Sequence, residues 1–555
     1  MSILWQPSGS LDVATDPSQL PEQAGENSVI SGAMQRCKNL ALERAGRIDT
    51  RPGSSAVSAV VLAAAPSFIL VQSGVRYAFA GGEIYRNEIA IATGLTDAQW
   101  SAATYNQFND TSEMVFACNG TDRKRIDNTT VYEWGIEAPT VAATLTAGAS
   151  TGLTGTYYVK YTYVRKSGTT VVSESNPSPL SASQVLANQS LSVTVTASSD
   201  AQVTHIRVYR TIANGGEYYV DQDITAPGTV VDTNTADTAL GSEAETDHDR
   251  PPTGAIVFGP LFNGVVFIAK DNPLYWCAAK RPEYWPVDNF IEVSAPAFPI
   301  RALASVDGQL YALTDNAIYF IQGISAGAFS PVDLQALTGA HNLFGALSVK
   351  GHGLYHVGHD GIYLLRGGVD RKITQTTFEP IFRGTATNGL QSVTNDDNRW
   401  LFQYENRVYF HYGNGNALVF NLDNERATYY KWDRAIVAPA SDVLNERFIA
   451  GTSERLIRVM EDRSVTTDAG TSITWECQSK DYLLQTRRHF PRWVKYDVEG
   501  TATGEIYLDG TLLQSHSLTV SRNTDRRLID TDNGRRCSIK LSGTGSVTIR
   551  MAELE

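Results

Sequence analysis

The chain contains no apolar stretch long enough to cross a membrane as a helix. Its longest apolar run extends from Ala59 to Ala65 and stops at Pro66, whereas a membrane helix needs about 20 such residues. The opening segment, Met1-Ser-Ile-Leu-Trp-Gln-Pro, lacks the basic start and apolar stretch of a signal peptide. We therefore expect a protein that is made in a cytosol and does not insert into a membrane.

Cysteine and charge are both scarce. The five cysteines are odd in number and show no Cys-x-x-Cys spacing, which argues against a disulfide framework and against a zinc ribbon. Only 19% of the residues are charged and 42% are hydrophobic, so the chain is too apolar to be disordered and can bury several cores. The cysteines, which we expect to be reduced and structural, are Cys37, Cys118, Cys277, Cys477 and Cys537.

Motifs of known enzyme chemistry are missing as well. The sequence has no Gly-x-Ser-x-Gly elbow, no Walker loop, no Gly-x-Gly-x-x-Gly after a strand and no His-Glu-x-x-His. Asp396 and Asp397 lie in a polar Asn-Asp-Asp-Asn turn, which favours turn hydrogen bonds over a glycosidase role. We predict that the protein is not an enzyme, with no catalytic residues, no cofactor-binding residues and no cofactor.

Three histidines close to Asp360 are the one group to weigh as metal ligands. In a strand, His352 and His356 would point to the same face about 13 Å apart, too far to share a zinc ion whose ligands sit at about 2 Å. His359 falls in the turn between two strands. We predict no metal site.

What the chain does contain is a hairpin signature with a fixed period. Phe267, Tyr311 and Tyr355 follow one another at intervals of 44 residues, and each has a tyrosine eight positions later. Asp, Asn and Gly supply the turn geometry, and the flanking alternation of apolar and polar residues is that of strands. A repeat of about 40 to 50 residues that holds strand pairs is typical of propeller blades, because one small sheet cannot bury its faces alone.

Looser copies extend this repeat in both directions. Tyr77 and Tyr85 keep the eight-residue spacing, and Met114 to Tyr132 forms a second upstream unit. Downstream, the segments from Val408 to Phe420 and from Phe448 to Val459 continue the repeat with altered turn lengths. We predict an all-β fold built on a β-propeller of six or seven blades.

Two further modules interrupt and end the repeat. The composition shifts to Thr, Ser, Ala and Val over residues 138 to 250, where strictly alternating segments predict an inserted antiparallel sandwich of about seven strands that resembles a fibronectin type III domain. Over residues 466 to 555 apolar and polar residues still alternate, but the 44-residue period stops. This pattern predicts a C-terminal antiparallel sheet domain. The predicted domains are an N-terminal arm at 1–35, the first part of the propeller at 36–137, the sandwich at 138–250, the second part of the propeller at 251–465 and the C-terminal β domain at 466–555.

The C-terminal region has a charge balance of its own. Residues 470 to 555 hold twelve Lys and Arg residues against eleven Asp and Glu residues. Because the two signs are interleaved, we favour solvated faces or a salt-bridged subunit contact over nucleic-acid binding. The arm of residues 1 to 35 has no periodic apolar face and no reason to fold by itself, so we expect it to form a docking platform with the C-terminal domain. The residues concerned are the pairs Arg487-Arg488, Arg526-Arg527 and Arg535-Arg536, with Asp497, Glu499, Asp525, Asp530 and Asp532.

The segment from Ser31 to Ser55 resembles the opening of the tail nozzle proteins of short-tailed, podovirus-like bacteriophages, a family that includes the packaged-DNA stabilisation proteins. In this sequence an Asn-Leu-x-Leu strand begins at Asn39 and an Arg-x-Gly element begins at Arg51. The resemblance covers most of residues 31 to 465 and depends on the order of the modules. The segments similar to the middle of the family are Tyr275 to Trp285, Ile300 to Tyr311 and Asp360 to Gly368.

The resemblance implies a virion structural protein of the phage tail, made in the host bacterial cytoplasm. It implies a homohexameric ring that closes the distal tail, retains the packaged DNA and forms the conduit for genome ejection. Its partners would be copies of itself, a tail adaptor or portal-proximal ring, tail needle or fibre proteins, and double-stranded DNA that passes without sequence-specific binding. The net charge of −13 suits a conduit, because a wall that made about 6 to 10 phosphate contacts would hold the DNA.

Two other classes of function remain open. A receptor- or glycan-binding tail propeller would present aromatic side chains at one face, although we expect the candidates to close blades or pack subunits instead. A propeller hydrolase is the third class, and it lacks a motif. The aromatic candidates are Trp276, Tyr284, Trp285, Trp400 and Trp432.

Overall fold

The computed structural model of the chain is all-β, with one short α-helix in the part it describes. No helix in that part is both long and apolar enough to span a membrane. The described residues are 2–7, 9–24, 28–44, 47–106, 114–323, 329–336, 338–375, 377–394, 399–423, 426–484, 491–519, 522–524, 526–529 and 534–555.

The amino-terminal quarter of the chain consists of short strands. The first seven are β1 (Ser2–Trp5), β2 (Gln23–Ala24), β3 (Ser28–Ser31), β4 (Met34–Lys38), β5 (Leu40–Arg44), β6 (Arg47–Thr50) and β7 (Gly53–Ala56). The next eight are β8 (Phe68–Gln72), β9 (Val75–Ala80), β10 (Glu83–Arg86), β11 (Ile89–Ala92), β12 (Ser101–Tyr105), β13 (Met114–Cys118), β14 (Arg123–Asp127) and β15 (Thr130–Glu133).

The segment predicted as an inserted sandwich contains nine strands where about seven were expected. They are β16 (Thr144–Ala147), β17 (Leu153–Tyr157), β18 (Val159–Ser167), β19 (Thr170–Glu174), β20 (Gln184–Gln189), β21 (Leu191–Thr194), β22 (His205–Arg210), β23 (Tyr219–Thr225) and β24 (Val230–Thr233). They pair as β16-β21-β24, β17-β20 and β19-β18-β22-β23. One apolar cluster, which includes Tyr157, Val159, Tyr161 and Ile206, is buried among them.

The middle of the chain continues with strands and the short helix. The strands are β25 (Ile256–Leu261), β26 (Val265–Ala269), β27 (Pro273–Trp276), β28 (Phe290–Glu292), β29 (Ala302–Val306), β30 (Gln309–Leu313), β31 (Ile318–Gln322), β32 (Ser330–Asp333), β33 (Ala346–Val349), β34 (Gly353–Val357), β35 (Ile362–Arg366) and β36 (Val369–Lys372). The helix, α1, is Glu379–Phe382.

The last third of the chain holds the remaining strands. They are β37 (Trp400–Tyr404), β38 (Arg407–Tyr412), β39 (Asn416–Asn421), β40 (Ala427–Lys431), β41 (Ile436–Asp442), β42 (Arg447–Thr452), β43 (Ile457–Asp462), β44 (Thr467–Asp468), β45 (Thr471–Ser472), β46 (Thr474–Ser479), β47 (Tyr482–Leu483), β48 (Trp493–Gly500), β49 (Ala502–Leu508), β50 (Thr511–Leu518), β51 (Arg522–Asn523), β52 (Arg526–Leu528), β53 (Arg536–Thr544) and β54 (Val547–Leu554).

Seven groups of four strands in the described part follow one order, in which each strand pairs with the next. Six groups take their strands from consecutive sequence: β8 to β11, β12 to β15, β25 to β28, β29 to β32, β33 to β36 and β37 to β40. In the seventh, β41, β42 and β43 are completed by β7 from near the start of the chain. The second strands β13, β26 and β38 are buried along their whole length, as expected where both faces of a sheet are covered.

The 44-residue period corresponds to equivalent strand positions. Phe267, Tyr311 and Tyr355 are each the third residue of the second strand in their group, so the predicted equivalence is confirmed. Phe267 and Tyr355 are buried and Tyr311 is half-buried. In the hairpin of Tyr311 the turn residues Asp307 and Gly308 both have positive φ, 50° and 78°, which is the conformation that a tight two-residue hairpin turn requires.

The chain divides into two compact units, residues 1–93, 301–320 and 333–555, and residues 94–300 and 321–332. Within the first unit, β4 lies between β40 and β46 in a ten-stranded sheet. A nine-stranded sheet, also within this unit, contains β1 and β6 beside β54. The N-terminal strands therefore connect the last groups of the repeat to the C-terminal strands.

The N-terminal arm is ordered against the C-terminal strands. Trp5, Leu11 and Val13 are buried in the same apolar cluster as Val494, Ile549 and other residues of the C-terminal strands. β1 pairs with β3 in parallel and with β54 antiparallel. The apolar residues of the arm are spaced by the strands they join, so no period in the sequence marks them as buried.

Candidate functional site

The three histidines weighed as metal ligands do not converge in the structure. His356, on β34, is fully buried, with Nδ1 2.8 Å from the Gly339 carbonyl oxygen and Nε2 2.9 Å from Asp370 Oδ1. His359 is exposed. Asp360 accepts hydrogen bonds from Lys372 Nζ and the Tyr363 hydroxyl. Since both ring nitrogens of His356 are engaged within the protein, this group is an internal hydrogen-bond network of the β33 to β36 sheet.

The aromatic residues considered for a glycan platform are core residues. Each is less than 7% exposed, so these side chains offer no face for a sugar to stack on, and that interpretation of them is wrong. The Nε1 atoms of Trp285 and Trp134 both donate to the Pro282 carbonyl oxygen at 2.8 Å. The five residues are Trp276, Tyr284, Trp285, Trp400 and Trp432. The acidic pair Asp396-Asp397 lies outside the described residues.

The arginines of the C-terminal region form ion pairs within the chain where the structure describes them. Arg522 Nη2 lies 2.9 Å from Asp497 Oδ2, and Arg526 contacts Glu555. Arg536 reaches Asp16 of the arm at 4.0 Å. Because these pairs are exposed and screened by solvent, they contribute little to stability. Arg487, Arg488, Asp525, Asp530 and Asp532 lie outside the described residues.

The Arg-x-Gly element that carries the family resemblance forms a buried polar cluster, here called the closure cluster: Asn39, Arg51, Lys431, Trp432 and Asp468. Arg51 is 1% exposed. Its Nη1 and Nη2 donate to Asp468 Oδ1 and Oδ2 at 3.0 and 2.5 Å, and the guanidinium carbon lies 3.8 Å from the centre of the Trp432 ring. A planar guanidinium suits this position, because it binds a carboxylate with two parallel hydrogen bonds and stacks on an aromatic face.

Asn39 completes the closure cluster from the preceding strand pair. Its side-chain oxygen accepts from Arg51 Nε at 2.9 Å and from the Lys431 amide at 2.6 Å, while Nδ2 donates to the Thr474 carbonyl at 2.7 Å. Asn39 has a positive φ of 57°, a conformation that Asn adopts more readily than most residues. The Asn-Leu-x-Leu and Arg-x-Gly motifs thus supply two halves of one hydrogen-bond network.

Gly53, the last residue of the Arg-x-Gly element, has a steric role. A Cβ at this position would lie 2.2 Å from the carbonyl oxygen of Thr467. The adjacent β7 pairs with both β43 and β44. Only glycine allows the two backbones to approach this closely, so the motif residues Asn39, Arg51 and Gly53 together fix the strand that completes the seventh group.

A second buried charge cluster, here called the sandwich junction, joins the inserted segment to its neighbours within the second unit. Glu283 is 2% exposed, and its Oε1 contacts Arg165 Nη2 and lies 3.7 Å from Arg125 Nε. Gln202 of the insertion accepts from Arg165 at 3.1 Å and donates to the Gly135 carbonyl at 3.3 Å. Burial is the largest influence on Arg125 and lowers the pKa of its guanidinium below the usual value.

The two ends of the insertion lie close together. Arg250, at its exit, contacts Glu133 at 2.9 Å and Glu137 at 2.5 Å, and both carboxylates belong to its entrance. Arg250 Nε also donates to the Trp134 carbonyl at 3.3 Å. The insertion is therefore clamped at its base by one guanidinium.

The acidic exit of the insertion contains a cluster that the sequence analysis did not single out. Ligand atoms of Glu245, Asp247 and His248 lie within 4.8 Å of one another, so these residues could hold a cation. His248 Nε2 lies 2.8 Å from Glu245 Oε2, and its ring stacks on Tyr284 with centres 3.9 Å apart. Arg281 lies 3.5 Å from the same glutamate. Glu245 is therefore already engaged by the imidazole of His248 and the guanidinium of Arg281.

A cleft of about 700 Å³ lies between the β33 to β36 sheet and the end of β39 and is here called the basic cleft. Its apolar floor is half-buried, and its rim carries the exposed guanidinium groups of Arg366 and Arg371. None of the described residues that line it carries a carboxylate. The sequence offered no signal for it, because the two sides of the cleft lie about fifty positions apart in the chain. The floor residues include Leu364, Ile373, Phe420 and Leu422.

No protein-family model matches the chain, and no curated protein matches it. Among solved structures, the chain is similar to a computationally designed protein, Ika8, with a TM-score of 0.34 and 11% identity, covering 74% of this chain and 99% of that one. It is also similar to BamB from Moraxella catarrhalis, with a TM-score of 0.29 and 12% identity, covering 74% of this chain and 97% of that one.

Proposed function

We propose that the seven four-stranded groups are the blades of one β-propeller, closed by β7. A propeller whose last blade is completed by a strand from the other end of the chain resists opening, because the ring cannot open without breaking that strand pairing. The pairing of β7 with β43 supports this arrangement. The insertion at 138–250, as a fibronectin type III-like sandwich, and the C-terminal domain at 466–555 are then attachments to the propeller.

On this architecture we propose that the protein is a tail nozzle subunit of a short-tailed bacteriophage. It would assemble as a homohexameric ring at the distal tail, where it retains DNA and forms the ejection conduit, and it would have no catalytic role. The observation that carries this proposal is the closure cluster. The residues that carry the family resemblance, Asn39, Arg51 and Gly53, are the ones that lock the N-terminal strands into the fold.

A structural role explains why these residues are buried and internally satisfied. A tail conduit must keep its shape while DNA is held behind it and then passes through. Arg51 binds Asp468 from a position 417 residues away in the sequence, so the cluster joins the beginning of the chain to its last third. Such long-range connections limit partial unfolding of the terminal segments.

The negative charge of the chain is consistent with a conduit. At −13 per copy, a ring repels phosphate and does not trap the strand electrostatically. Its partners in this role are neighbouring copies, a tail adaptor or portal-proximal ring, needle or fibre proteins, and DNA in transit. The chain would be made in the host cytoplasm and end in the virion tail, with no enzymatic activity.

The proposal is tested by removing the chain from the phage that encodes it. Particles assembled without it should package DNA but fail to retain it, so that the DNA becomes accessible to nuclease, and wild-type protein supplied in trans should restore retention. A matched control is the variant Arg301→Lys, which alters an exposed ion pair with Asp315 and should complement fully. Particles that retain DNA but no longer adsorb to cells would instead support the receptor-binding alternative.

A further inference from the structure

The basic cleft carries cationic groups that are not neutralised within the described part of the chain. Arg366 ends β35 and Arg371 lies on β36, and neither guanidinium contacts a carboxylate there. Val369, between them in sequence, is 69% exposed. In a chain with a net charge of −13, an apolar cleft bordered by free cations is suited to an acidic segment with an apolar anchor.

The chain itself contains a segment of that chemistry at residues 287–292. Phe290 is 42% exposed although it is aromatic. Asp288 and Glu292 are exposed as well. Phe290 and Glu292 lie two positions apart on β28 and so share one face of the strand, and Asp288 lies in the turn just before the strand. Val287, at the start of the segment, is 73% exposed.

Both elements are open to pairing. β36 is the last strand of the β33 to β36 sheet, and β28 is the last strand of the β25 to β28 sheet. Unpaired edges of this kind are the usual site of strand addition between chains. The two surfaces differ in chemistry, as a head-to-tail contact between identical subunits requires.

We propose that the basic cleft of one copy receives the 287–292 segment of a second copy, with Phe290 against the apolar floor and Asp288 and Glu292 against Arg366 and Arg371. This inference rests on the proposed ring and identifies the contact between its subunits. A contact that uses two different patches leaves one free cleft and one free segment on every open assembly, so it propagates until the ring closes.

The test measures self-association of the full chain by sedimentation equilibrium. We expect association that strengthens with protein concentration and weakens with salt. The double variant Arg366→Glu/Arg371→Glu should raise the dissociation constant at least about tenfold, since like charges would face each other in the contact. The variant Asp288→Lys/Glu292→Lys should do the same. The control Lys270→Glu/Arg447→Glu makes the same change in net charge as Arg366→Glu/Arg371→Glu, at exposed residues outside the cleft, and should leave association unchanged.

Restoration of association decides between this contact and a general effect of charge. A chain that carries all four substitutions, Arg366→Glu and Arg371→Glu together with Asp288→Lys and Glu292→Lys, again presents opposite charges at every subunit contact. This fourfold variant should regain association. The proposal would be overturned by a chain that stays monomeric at all concentrations. It would also be overturned by charge reversals that leave association unchanged, or by a fourfold variant whose association remains weakened.

Cross-linking provides a second readout that does not depend on charge reversal. The five native cysteines are buried, so Arg371→Cys and Phe290→Cys each introduce one accessible thiol. On oxidation, an equimolar mixture of the two variants should yield a dimer of one chain of each kind, and failure to form it would count against the contact. The nuclease test on particles addresses the tail function separately. If variants that lack this contact still retain DNA in particles, the proposed interface is refuted and the tail function is not.

Discussion

Arg51 and Asp468 form a buried bidentate ion pair across 417 positions of the sequence. The aspartate side chain is 5% exposed and the arginine side chain is fully buried. The remaining guanidinium hydrogens are directed at Asn39, the Pro52 carbonyl and the Lys431 carbonyl. Because every polar group of the pair has a partner, the cost of burying two charges is offset as far as it can be.

Removing one member of this pair should destabilise the protein strongly. We expect Asp468→Asn to lower the free energy of unfolding by about 3 to 5 kcal/mol, because Arg51 would remain buried without a counter-charge. Arg51→Lys keeps the charge but loses the planar fork and should also be destabilising. The measurement is urea denaturation. Asp315→Asn, which breaks the exposed pair with Arg301, is the control and should cost less than about 1 kcal/mol; equal losses in the two Asp→Asn variants would contradict the role of the closure cluster.

The close approach at Gly53 predicts a second effect on the same region. Gly53→Ala places a methyl group 2.2 Å from a backbone oxygen, so β7 must shift away from β44 and the variant should melt at a lower temperature. Gly216→Ala is the matched control, because its Cβ would meet no atom within 4 Å. Thermal unfolding followed by circular dichroism compares the two. The argument fails if Gly53→Ala melts no lower than Gly216→Ala.

The sandwich junction predicts how deletion of residues 138–250 affects stability. The remaining chain should still unfold cooperatively, but at a lower temperature than the intact protein, since removing Arg165 and Gln202 uncovers Glu283 and Arg125. Replacing this uncovered pair by Glu283→Gln and Arg125→Gln should recover part of the loss in the deleted chain and be destabilising in the intact chain. Calorimetry of the four proteins measures both effects. A deleted chain without any cooperative transition would show that the insertion belongs to the core.

The buried face of the N-terminal arm predicts a contrast between two tryptophans. Trp5 is 0% exposed and Trp493 is 41% exposed. Trp5→Ala should destabilise the protein by about 3 to 5 kcal/mol through loss of core contacts, whereas Trp493→Ala should have a much smaller effect. Denaturation of both variants tests whether the arm is part of the fold. If both variants lose similarly little stability, the arm is not part of the folded core.

Acid should weaken the insertion through Asp223. Burial raises the pKa of this carboxyl, but hydrogen bonds and charge from Arg207 and Lys166 more than offset that effect, so its pKa lies below the usual value for an aspartate. A lowered pKa in the folded state contributes stability above the unfolded pKa, which is lost as the pH falls through the folded value. Asp223→Asn should therefore be destabilised relative to wild type at pH 7, and the difference should shrink below about pH 4. A stability difference for Asp223→Asn that persists unchanged into acid would contradict the assignment.

The local features of the fold were accessible from the sequence and the long-range ones were not. The spacing of Phe267, Tyr311 and Tyr355 predicted three equivalent second strands because turn chemistry and alternation act over a few residues. The pairing of β7 with β43 and the burial of Trp5 depend on partners hundreds of positions away. No local period records such contacts.

The candidate sites show the same division. The motif at Arg51 was noticed as a resemblance, but its partner Asp468 carries no sequence signal that distinguishes it from other aspartates. The basic cleft was not predicted either, because it forms only where Phe420 comes to lie beside the sheet that carries Arg371. Charge and exposure that decide a site of this kind are properties of the folded surface.

The central claim, that this chain is a tail nozzle subunit, is tested most directly by locating it in virions. Antibody-gold labelling of purified particles, imaged by negative stain, gives its position relative to the tail axis. The account predicts label at the distal tip of the short tail, centred on the axis. Label confined to appendages that project away from the axis, or particles that carry none of the protein, would contradict it.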